Sequence, residues 1–287
     1  MEKVSIFWFR RDLRTDDNAG FFHALATGLP VVPVFIFDRH ILEKLDNKQD
    51  KRISFIHNTL DALRKTFGKC GSDLRVYHAS PREAFSRILN EFRVASVFCN
   101  RDYEPYARER DQNIEEYLEA AGVRMQTYRD HVVFEKDEVL KPDGKPYTVF
   151  TPYMRQWKKL FMQNPPVTYD SASLLHRLAK LEQKPIPSPG EMGFAKVPVA
   201  GIPSAEIREE VIRSYDRTRD FPALDGTSRL GIHLRFGTLS IRNVVEAARA
   251  NEVFMNELIW REFYMMILWH FPHVAESAFR PAYDRIV

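Results

Sequence analysis

The sequence has few cysteines and no long apolar run, and each deficit excludes a class of protein. Only two of the 287 residues are cysteines, Cys70 and Cys99. Two cysteines cannot form a disulfide framework, and this pair lacks metal-ligand spacing, so we expect free thiols in a reducing compartment. The first apolar run, six residues after Glu2 and Lys3, is too short for a signal peptide or a membrane span. The sequence therefore predicts a cytoplasmic protein that does not cross a membrane.

A strong excess of one charge is also missing. The chain has 42 Lys and Arg residues against 39 Asp and Glu residues, a net charge of +3, so any basic surface must be local. The GxGxxG fingerprint is missing after the first apolar run, where FRRDLRTDDN stands instead. This excludes an ordinary dinucleotide-binding domain. The sequence also contains no candidate nucleophile, metal cluster or acid–base pair.

The first 130 residues alternate short apolar runs with segments of helical periodicity. The runs lie at 4–9, 31–37, 74–79, 95–100 and 124–129. The first, second and fourth are nearly continuous in apolar residues, which is typical of strands covered on both faces. Ser80 and Pro81 form a good helix start, and Gly68 and Gly122 stand where helices should end. We predict a Rossmann-like α/β domain over 1–130, built on a parallel five-stranded sheet.

The rest of the chain differs in composition. Nine prolines interrupt residues 131–200, which predicts a long linker over 131–203 with one short helix at 152–162. From residue 204 onward strand signals fade and helical periodicity dominates. We predict that 204–287 is the beginning of an all-α domain.

The loop after the first predicted strand is densely charged. Six charged residues occur between Arg10 and Asp17. Such a loop is usually solvated or internally paired, and we favour that interpretation over direct contact with a ligand.

The segment GTSRLGIHLRFG at 226–237 suggests an anion site. Gly226 permits a close approach, and the hydroxyls of Thr227 and Ser228 can cap the helix that follows. Free backbone N–H groups at such a turn favour a phosphate, and Arg229 and Arg235 would add to that preference. A plain capped helix is the alternative.

The segment NELIWREFY at 256–264 has two different helical faces. One carries Glu257, Trp260, Arg261 and Tyr264, and the other is apolar. A core face rarely combines a carboxylate, an indole, a guanidinium and a phenol, so we predict a functional surface. The alternative is structural, with an ion pair between Glu257 and Arg261 beside two partly exposed aromatic side chains.

Four segments give the chain a family resemblance. WFRRDLRTDDN at 8–18, DGKPYTVFTPYMRQW at 143–157, RDFPALDGTSRL at 219–230 and NELIWREFY at 256–264 resemble segments of photolyases and cryptochromes. They occur in the same order as in that family. The resemblance implies an α/β antenna domain, a long connection and a helical domain that binds FAD.

The resemblance also implies roles for particular residues. FAD would be held by Tyr215, the segment Thr227, Ser228, Arg229, Leu230 and Gly231, and Arg261. Gly231 stands where the family often has Ser. Glu257 would hydrogen-bond a flipped pyrimidine dimer and Trp260 would stack on it, so these two are the implied catalytic residues. Together with Arg261 and Tyr264 they would form the DNA-binding surface.

The implied activity is light-driven, FAD-dependent splitting of cyclobutane pyrimidine dimers in damaged DNA by a monomer. A cryptochrome-type blue-light photoreceptor is the first alternative, and an isolated pigment- or nucleotide-binding module is the second. A basic groove for DNA would include Arg229, Arg235 and Arg242, unless these are ordinary surface charges.

The chain departs from the family pattern in two places. The family's helical domain continues well beyond the point reached by 282–287, so we expect a truncated chain that cannot repair DNA and copurifies with little flavin. The second departure is Tyr106 and Ala107, where folate-using members tend to carry Asn and Glu. This leaves the antenna chromophore, of folate or flavin type, unassigned.

Overall fold

A computed structural model of the chain describes residues 2–285. Residues 1, 286 and 287, the outermost positions of the predicted first and last domains, lie outside the described residues. A five-stranded parallel sheet has the order β3-β2-β1-β4-β5. Its strands are Lys3–Phe9 (β1), Val31–Asp38 (β2), Arg75–Ala79 (β3), Arg93–Asn100 (β4) and Arg124–Tyr128 (β5). The predicted fold class is confirmed, because continuous apolar runs form strands that are covered on both faces.

Helices cover both faces of this sheet. They are Ala19–Ala26 (α1), Arg39–Leu42 (α2), Lys51–Gly68 (α3), Pro81–Glu91 (α4) and Pro105–Ala120 (α5). Helices α1 and α3 bury a phenylalanine-rich cluster on one face, and α4 and α5 bury a second cluster on the other. The start of α4 is as predicted, since Ser80 and Glu83 form a capping box with Pro81 in the first turn.

The proline-rich segment contains one regular helix and returns to the sheet. Helix α6 spans Phe150–Gln163, close to the predicted 152–162, and a short 3₁₀ helix spans Ala172–Arg177. Leu178 then forms a parallel bridge with Val31, and the Ala179 N–H donates to the Val31 carbonyl at 2.8 Å. These contacts hold the segment against the beginning of β2.

The last part of the described chain is helical. Its elements are Glu209–Arg213 (α7), Tyr215–Thr218 (α8), Gly231–Phe236 (α9), Ile241–Ala248 (α10), Glu252–His270 (α11) and 3₁₀ turns at Pro272–Ala275 and Pro281–Arg285. Helix α6 packs with them around one apolar cluster. None of the helices in the described range is both long and apolar enough to span a bilayer.

A buried ionic network joins the sheet to the helical part. Arg242 of α10 contacts Asp17 and Asp130 at 2.8 Å each, and Arg14 contacts Asp130 at 2.8 Å. Burial alone would raise the pKa of Asp130, but the two guanidinium groups outweigh it and hold that pKa at about 2. The arginines of the loop at 10–17 are therefore paired within the protein, and apart from the exposed Asp16 its charged residues are buried or half-buried.

Gly237 lies at the same junction. Its φ of +62° ends α9 in the left-handed region, and a Cβ there would lie 2.0 Å from the Arg11 carbonyl oxygen. Only glycine tolerates both the positive φ and the close approach of the Arg11 backbone. This position therefore sets how closely α9 approaches the loop after β1.

Candidate functional site

The accessible face of α11 carries a stack of aromatic rings. Trp260 lies parallel to Phe150, with ring centroids 3.6 Å apart and an interplanar angle of 7°. Tyr264 lies 5.5 Å from Trp260 at 23° and is 62% exposed. A planar aromatic surface therefore reaches solvent here. Phe150 was not predicted as a site residue, because its position in α6 gives no sequence signal of contact with α11.

Glu257 lies beside this surface and is ion-paired with Arg219. The Arg219 guanidinium also lies over the Tyr215 ring, 5.8 Å from its centroid. Burial, followed by the charge of Glu257, raises the pKa of Tyr215. The structure thus brings Tyr215 and Glu257 together through Arg219, and the alternative ion pair between Glu257 and Arg261 is wrong.

Arg261 lies on the side of α11 that faces the sheet. Its guanidinium donates to the His131 carbonyl at 2.8 Å and to the Leu234 carbonyl at 3.3 Å. Burial lowers its pKa. Arg261 thereby connects the start of the linker and helix α9, and its donors are directed away from the aromatic stack.

Glu262 is a buried carboxylate that the sequence analysis did not single out. It is 3% exposed and accepts hydrogen bonds from the Val133 N–H at 2.7 Å, the Phe134 N–H at 2.8 Å and the Trp157 indole N–H at 2.5 Å. Burial raises its pKa to about 7. The sequence did contain a signal for Glu262, which is a charged residue among apolar core positions of the helix. A buried charge of this kind requires a hydrogen-bonding or ionic partner.

The turn at 226–231 precedes α9. A Cβ on Gly226 would lie 2.5 Å from the Thr218 Cβ, so the chain packs tightly at this position. Helix α9 begins at Gly231 with Leu230 as N-cap and no side-chain cap. The predicted capping by Thr227 and Ser228 is wrong, because both hydroxyls lie before the first turn. Their backbone N–H groups find no acceptor among residues 2–285.

The three arginines of the predicted basic groove are differently placed. Arg229, with a φ of +51°, pairs with Asp225 at 2.9 Å, and Arg235 pairs with Glu104 at 2.5 Å. Arg242 is 5% exposed within the buried network and cannot contact DNA. The expectation for Arg242 is therefore wrong, since two aspartates hold it in the interior.

A cavity of about 570 Å³ opens at the carboxyl edge of the sheet, beside the ends of β1 and β2. The strand order reverses around β1, and ligands of open α/β sheets bind at such a position. Phe35, Phe37 and Ile53 give the cavity apolar walls. Trp8 also lines it, and its indole N–H is buried without a hydrogen-bond partner among the described residues.

Tyr106 and Ala107 both line this cavity. The Tyr106 hydroxyl donates to Asp38 Oδ2 at 2.5 Å, and burial together with this carboxylate raises the pKa of Tyr106. Charged side chains of both signs also line the cavity; they are Arg10, Arg11, Arg52, Arg110 and Arg235 with Asp38, Asp102 and Glu104. Each of the five arginines is ion-paired with an aspartate or a glutamate. The apolar walls suit a flat ring system, and the charged groups suit a polar tail.

Across residues 2–285, no group of three or more His, Cys, Asp or Glu side chains is placed to hold a metal ion. Cys70 and Cys99 are both free thiols.

Known proteins resemble this chain in both sequence and structure. The family model described as DNA photolyase matches residues 5–170. A deoxyribodipyrimidine photo-lyase of Halobacterium salinarum is 34% identical, in an alignment covering 98% of this chain and 64% of the relative.

Two solved structures share the fold. A class III photolyase from Agrobacterium tumefaciens superposes with a TM-score of 0.83 at 23% identity, covering 100% of this chain and 63% of that one. A photolyase from Sulfolobus tokodaii, solved with two FAD molecules, has a TM-score of 0.73 at 28% identity, covering 99% and 64%.

The chain thus spans slightly less than two thirds of the length of these relatives. The family model matches more than half of the chain, and it includes the charged loop after β1 and the edge of the sheet that forms the cavity. The chain belongs to the DNA photolyase family.

Proposed function

We propose that the protein containing this chain is a deoxyribodipyrimidine photo-lyase, an FAD-dependent enzyme that uses blue light to split cyclobutane pyrimidine dimers in DNA. The observation that carries the proposal is the accessible face of α11. It places the Glu257 carboxylate beside the stack of the half-buried Trp260 and the exposed Tyr264.

Trp260 is the proposed stacking platform for the flipped dimer. Its ring is already held parallel to Phe150, so it is oriented before DNA binds. Stacking of a base on an aromatic side chain contributes about 1 to 3 kcal/mol. Glu257 would accept a hydrogen bond from the dimer through Oε2, since Arg219 contacts only Oε1.

The turn at 226–231 fits the phosphates of FAD. The unpartnered N–H groups of Thr227 and Ser228 and the two hydroxyls are suitable donors, and Arg229 and the N–H groups of Leu230 and Gly231 would complete the set. Tyr215 borders this site through Arg219. When bound and reduced, FAD supplies the light-driven electron transfer that opens the cyclobutane ring. Arg261 would act through Leu234, by fixing helix α9 behind the turn.

The cavity at the edge of the sheet is the proposed site of a light-harvesting chromophore. Its apolar walls and the unpartnered indole N–H of Trp8 fit a heteroaromatic ring that accepts a hydrogen bond. The photolyase of Sulfolobus tokodaii was solved with two FAD molecules, with the implication of a novel light-harvesting cofactor. We propose a flavin-type antenna for this chain, because Tyr106 and Ala107 replace the Asn and Glu of folate-using members.

The proposal extends to the state of the protein in the cell. We infer a cytoplasmic monomer, since the two free thiols suit a reducing compartment. Size-exclusion chromatography with light scattering checks the monomer, and a dimer would contradict it.

The experiment has a binding part and a repair part. In the first, the chain is titrated with an oligonucleotide containing one cyclobutane dimer and with its undamaged counterpart. Trp260→Ala should reduce the preference for damaged DNA by about 5- to 150-fold. Trp269→Ala, which removes an indole packed under Arg108 at the C-terminal end of α11, is the control and should leave the preference intact. An equal loss in both variants would contradict the role of Trp260.

In the second part, the full-length gene product is loaded with FAD and illuminated with blue light in the presence of the damaged oligonucleotide. Restoration of intact pyrimidines is the expected result. A protein that binds FAD and repairs nothing would overturn the photolyase proposal in favour of a cryptochrome-type photoreceptor.

A further inference from the structure

The two faces of the Trp260 indole are covered by different side chains. Phe150 lies against one face, with ring centroids 3.6 Å apart and an interplanar angle of 7°. Tyr264 is also stacked on the indole, at 5.5 Å and 23°. Two rings at these distances on one face would overlap, so Phe150 and Tyr264 lie on opposite faces. A flipped base can therefore stack on Trp260 only after one of the two rings has moved.

Phe150 is held in place by helix α6 and by the core beside it. It is the first residue of the helix, and its ring also meets the Phe263 ring edge-on at 5.9 Å. Further along α6, Tyr153 and Trp157 are each 1% exposed, and the Trp157 indole N–H donates to a buried carboxylate of α11. Moving Phe150 off the indole would leave a cavity beside Phe263 or displace the start of this anchored helix. Both changes are costly.

Tyr264 is restrained much less. Its side chain is 62% exposed, and its ring contacts Trp260 and the neighbouring Phe263, the latter at 5.8 Å. It follows Trp260 by four residues on one helix, so its side chain leans back over the indole from the solvent side.

The magnitudes favour displacement of Tyr264. An aromatic pair of this kind corresponds to roughly a 2- to 12-fold change in an equilibrium constant. Stacking of one base on an aromatic side chain corresponds to about 5- to 150-fold. A base can therefore replace the Tyr264 ring on the indole with a net gain in affinity.

We infer that the flipped dimer enters on the face of Trp260 that Tyr264 covers and displaces Tyr264, while Phe150 stays on the opposite face as a positioning residue. The inference rests on the proposed function and assigns the face on which the substrate binds. Glu257 precedes Trp260 by three residues and Tyr264 follows it by four, so the space left by the displaced ring lies on the same side of α11 as the carboxylate. Tyr264 thus covers the apolar indole until DNA arrives, and it lowers the affinity for the dimer.

Tyr264→Ala tests the covered face. The variant is titrated with an oligonucleotide containing one cyclobutane dimer and with its undamaged counterpart. It should bind the damaged oligonucleotide about 2- to 12-fold more tightly than the unmodified chain, because no ring has to be displaced. Binding of the undamaged duplex should not change, since its bases remain paired and stacked. Tyr283→Ala, which removes a tyrosine that is 56% exposed in the last 3₁₀ turn, is the matched control and should change neither affinity.

Phe150→Ala should have the opposite effect. It should weaken binding of the damaged oligonucleotide by about 2- to 12-fold, because DNA binding must then immobilise the indole. Phe150→Tyr keeps an aromatic ring on that face and should restore the affinity, which a general loss of structure would not allow. Circular dichroism verifies the helices of both variants.

Quenching of Trp260 fluorescence by acrylamide measures the cover without DNA. The Trp260 signal is identified by its loss in Trp260→Phe. Quenching should increase in Tyr264→Ala and stay constant in Tyr283→Ala. Unchanged quenching in Tyr264→Ala would show that Tyr264 does not shield the indole, and the inference would fail.

The sign of each change in affinity decides the inference. Weaker or unchanged binding of damaged DNA by Tyr264→Ala would overturn it, because Tyr264 would then stay in place when the dimer binds. Tighter binding by Phe150→Ala would assign the dimer to the opposite face and overturn it as well. In either case, a lost preference in Trp260→Ala leaves the proposed function standing. An unmodified chain without any preference for damaged DNA would contradict the proposed function and the inference together.

Discussion

At the scale of single residues, Glu262 shows how a buried charge can fix the orientation of the helix that carries the proposed site. Three N–H donors from two other segments converge on its carboxylate. Burying a carboxylate is costly, and hydrogen bonds to it offset much of the cost. Because Glu262 follows Arg261 and lies two residues from Trp260, its anchoring sets the rotation of α11 about its axis. The buried contacts of Glu262 thus determine which face of α11 is exposed to solvent.

Glu262 makes the stability of the folded chain depend on pH. Its pKa is about 7 in the folded chain, against 4.5 for an ordinary glutamate. Between these values the folded state holds the proton and the unfolded state does not, so this group's contribution to stability falls as pH rises through the window. Glu262→Gln removes the titration and turns an NH₂ group towards the Val133 N–H.

We expect Glu262→Gln to be less stable than the wild type by about 1 to 3 kcal/mol near pH 5. The deficit should shrink by up to about 1.4 kcal/mol per pH unit towards neutrality. Urea unfolding at several pH values measures it, with the exposed Glu252→Gln as control. A deficit that is constant with pH would show that Glu262 does not titrate in this window. The measured quantity is the difference in unfolding free energy between the variants. Burial lowers the pKa of His131 to about 4, so the contribution of His131 to stability rises with pH, opposite to that of Glu262.

At the scale of elements, helix α11 carries most of the proposed site and depends on its first turn. Asn251 caps it by accepting from the N–H groups of Val253 and Phe254. The same side chain donates to Asp216 at 2.7 Å, which connects α11 to α8 and hence to Tyr215. The cap therefore aligns the helix that bears Glu257 with the segment that bears Tyr215.

Asn251→Ala should destabilise the chain by about 1 to 2 kcal/mol, because it removes both the cap and the contact with Asp216. Hydrogen exchange should increase in the first turn of α11 and in α8. Ser80→Ala, which removes the comparable cap of α4, is the control, and its exchange changes should remain in the α/β part. Unchanged exchange in α8 would mean that the contact between Asn251 and Asp216 contributes little.

At the scale of the whole molecule, the sheet and the helical part are joined by buried charges as well as by packing. Arg242 contacts two aspartates that are distant in sequence, and Arg14 shares one of them. Removing one partner of a buried ion pair is strongly destabilising, because it leaves an uncompensated charge in the interior. A surface ion pair contributes only about 0 to 1 kcal/mol to stability. The network should therefore determine whether the two parts unfold together.

Arg242→Met keeps the length of the side chain and removes its charge. We expect a loss of about 3 to 5 kcal/mol and a broadened or divided thermal transition in calorimetry. Arg249→Met, which breaks an exposed pair with Glu246, should change stability by no more than about 0.5 kcal/mol. A single sharp transition at unchanged temperature in Arg242→Met would show that packing alone joins the two parts.

The sequence predicted those features that follow from local chemistry. Continuous apolar runs located the five strands, and Ser80 with Pro81 located the start of α4, because these patterns report on the backbone nearby. Features that depend on distant partners were missed or misjudged. Arg242 was expected at a DNA surface, since its sequence context does not reveal the two aspartates around it. Phe150, Arg219 and the cavity at Trp8 likewise arise only when separate segments meet.

The sequence did contain hints of some of these features. Asp38 follows the second apolar run and Arg10 follows the first, and the carboxyl ends of parallel strands meet at one edge of a sheet. A pocket at that edge was therefore foreseeable. Its volume was not, because it depends on the orientations of Tyr106 and Arg110.

The buried network also has a consequence for synthesis of the chain on the ribosome. The α/β part leaves the exit tunnel first, whereas Arg242 follows Asp17 by 225 residues. Until α10 emerges, the Asp17 carboxylate lacks its ion-pair partner and Asp130 has only Arg14. The nascent α/β part therefore remains below its final stability during translation.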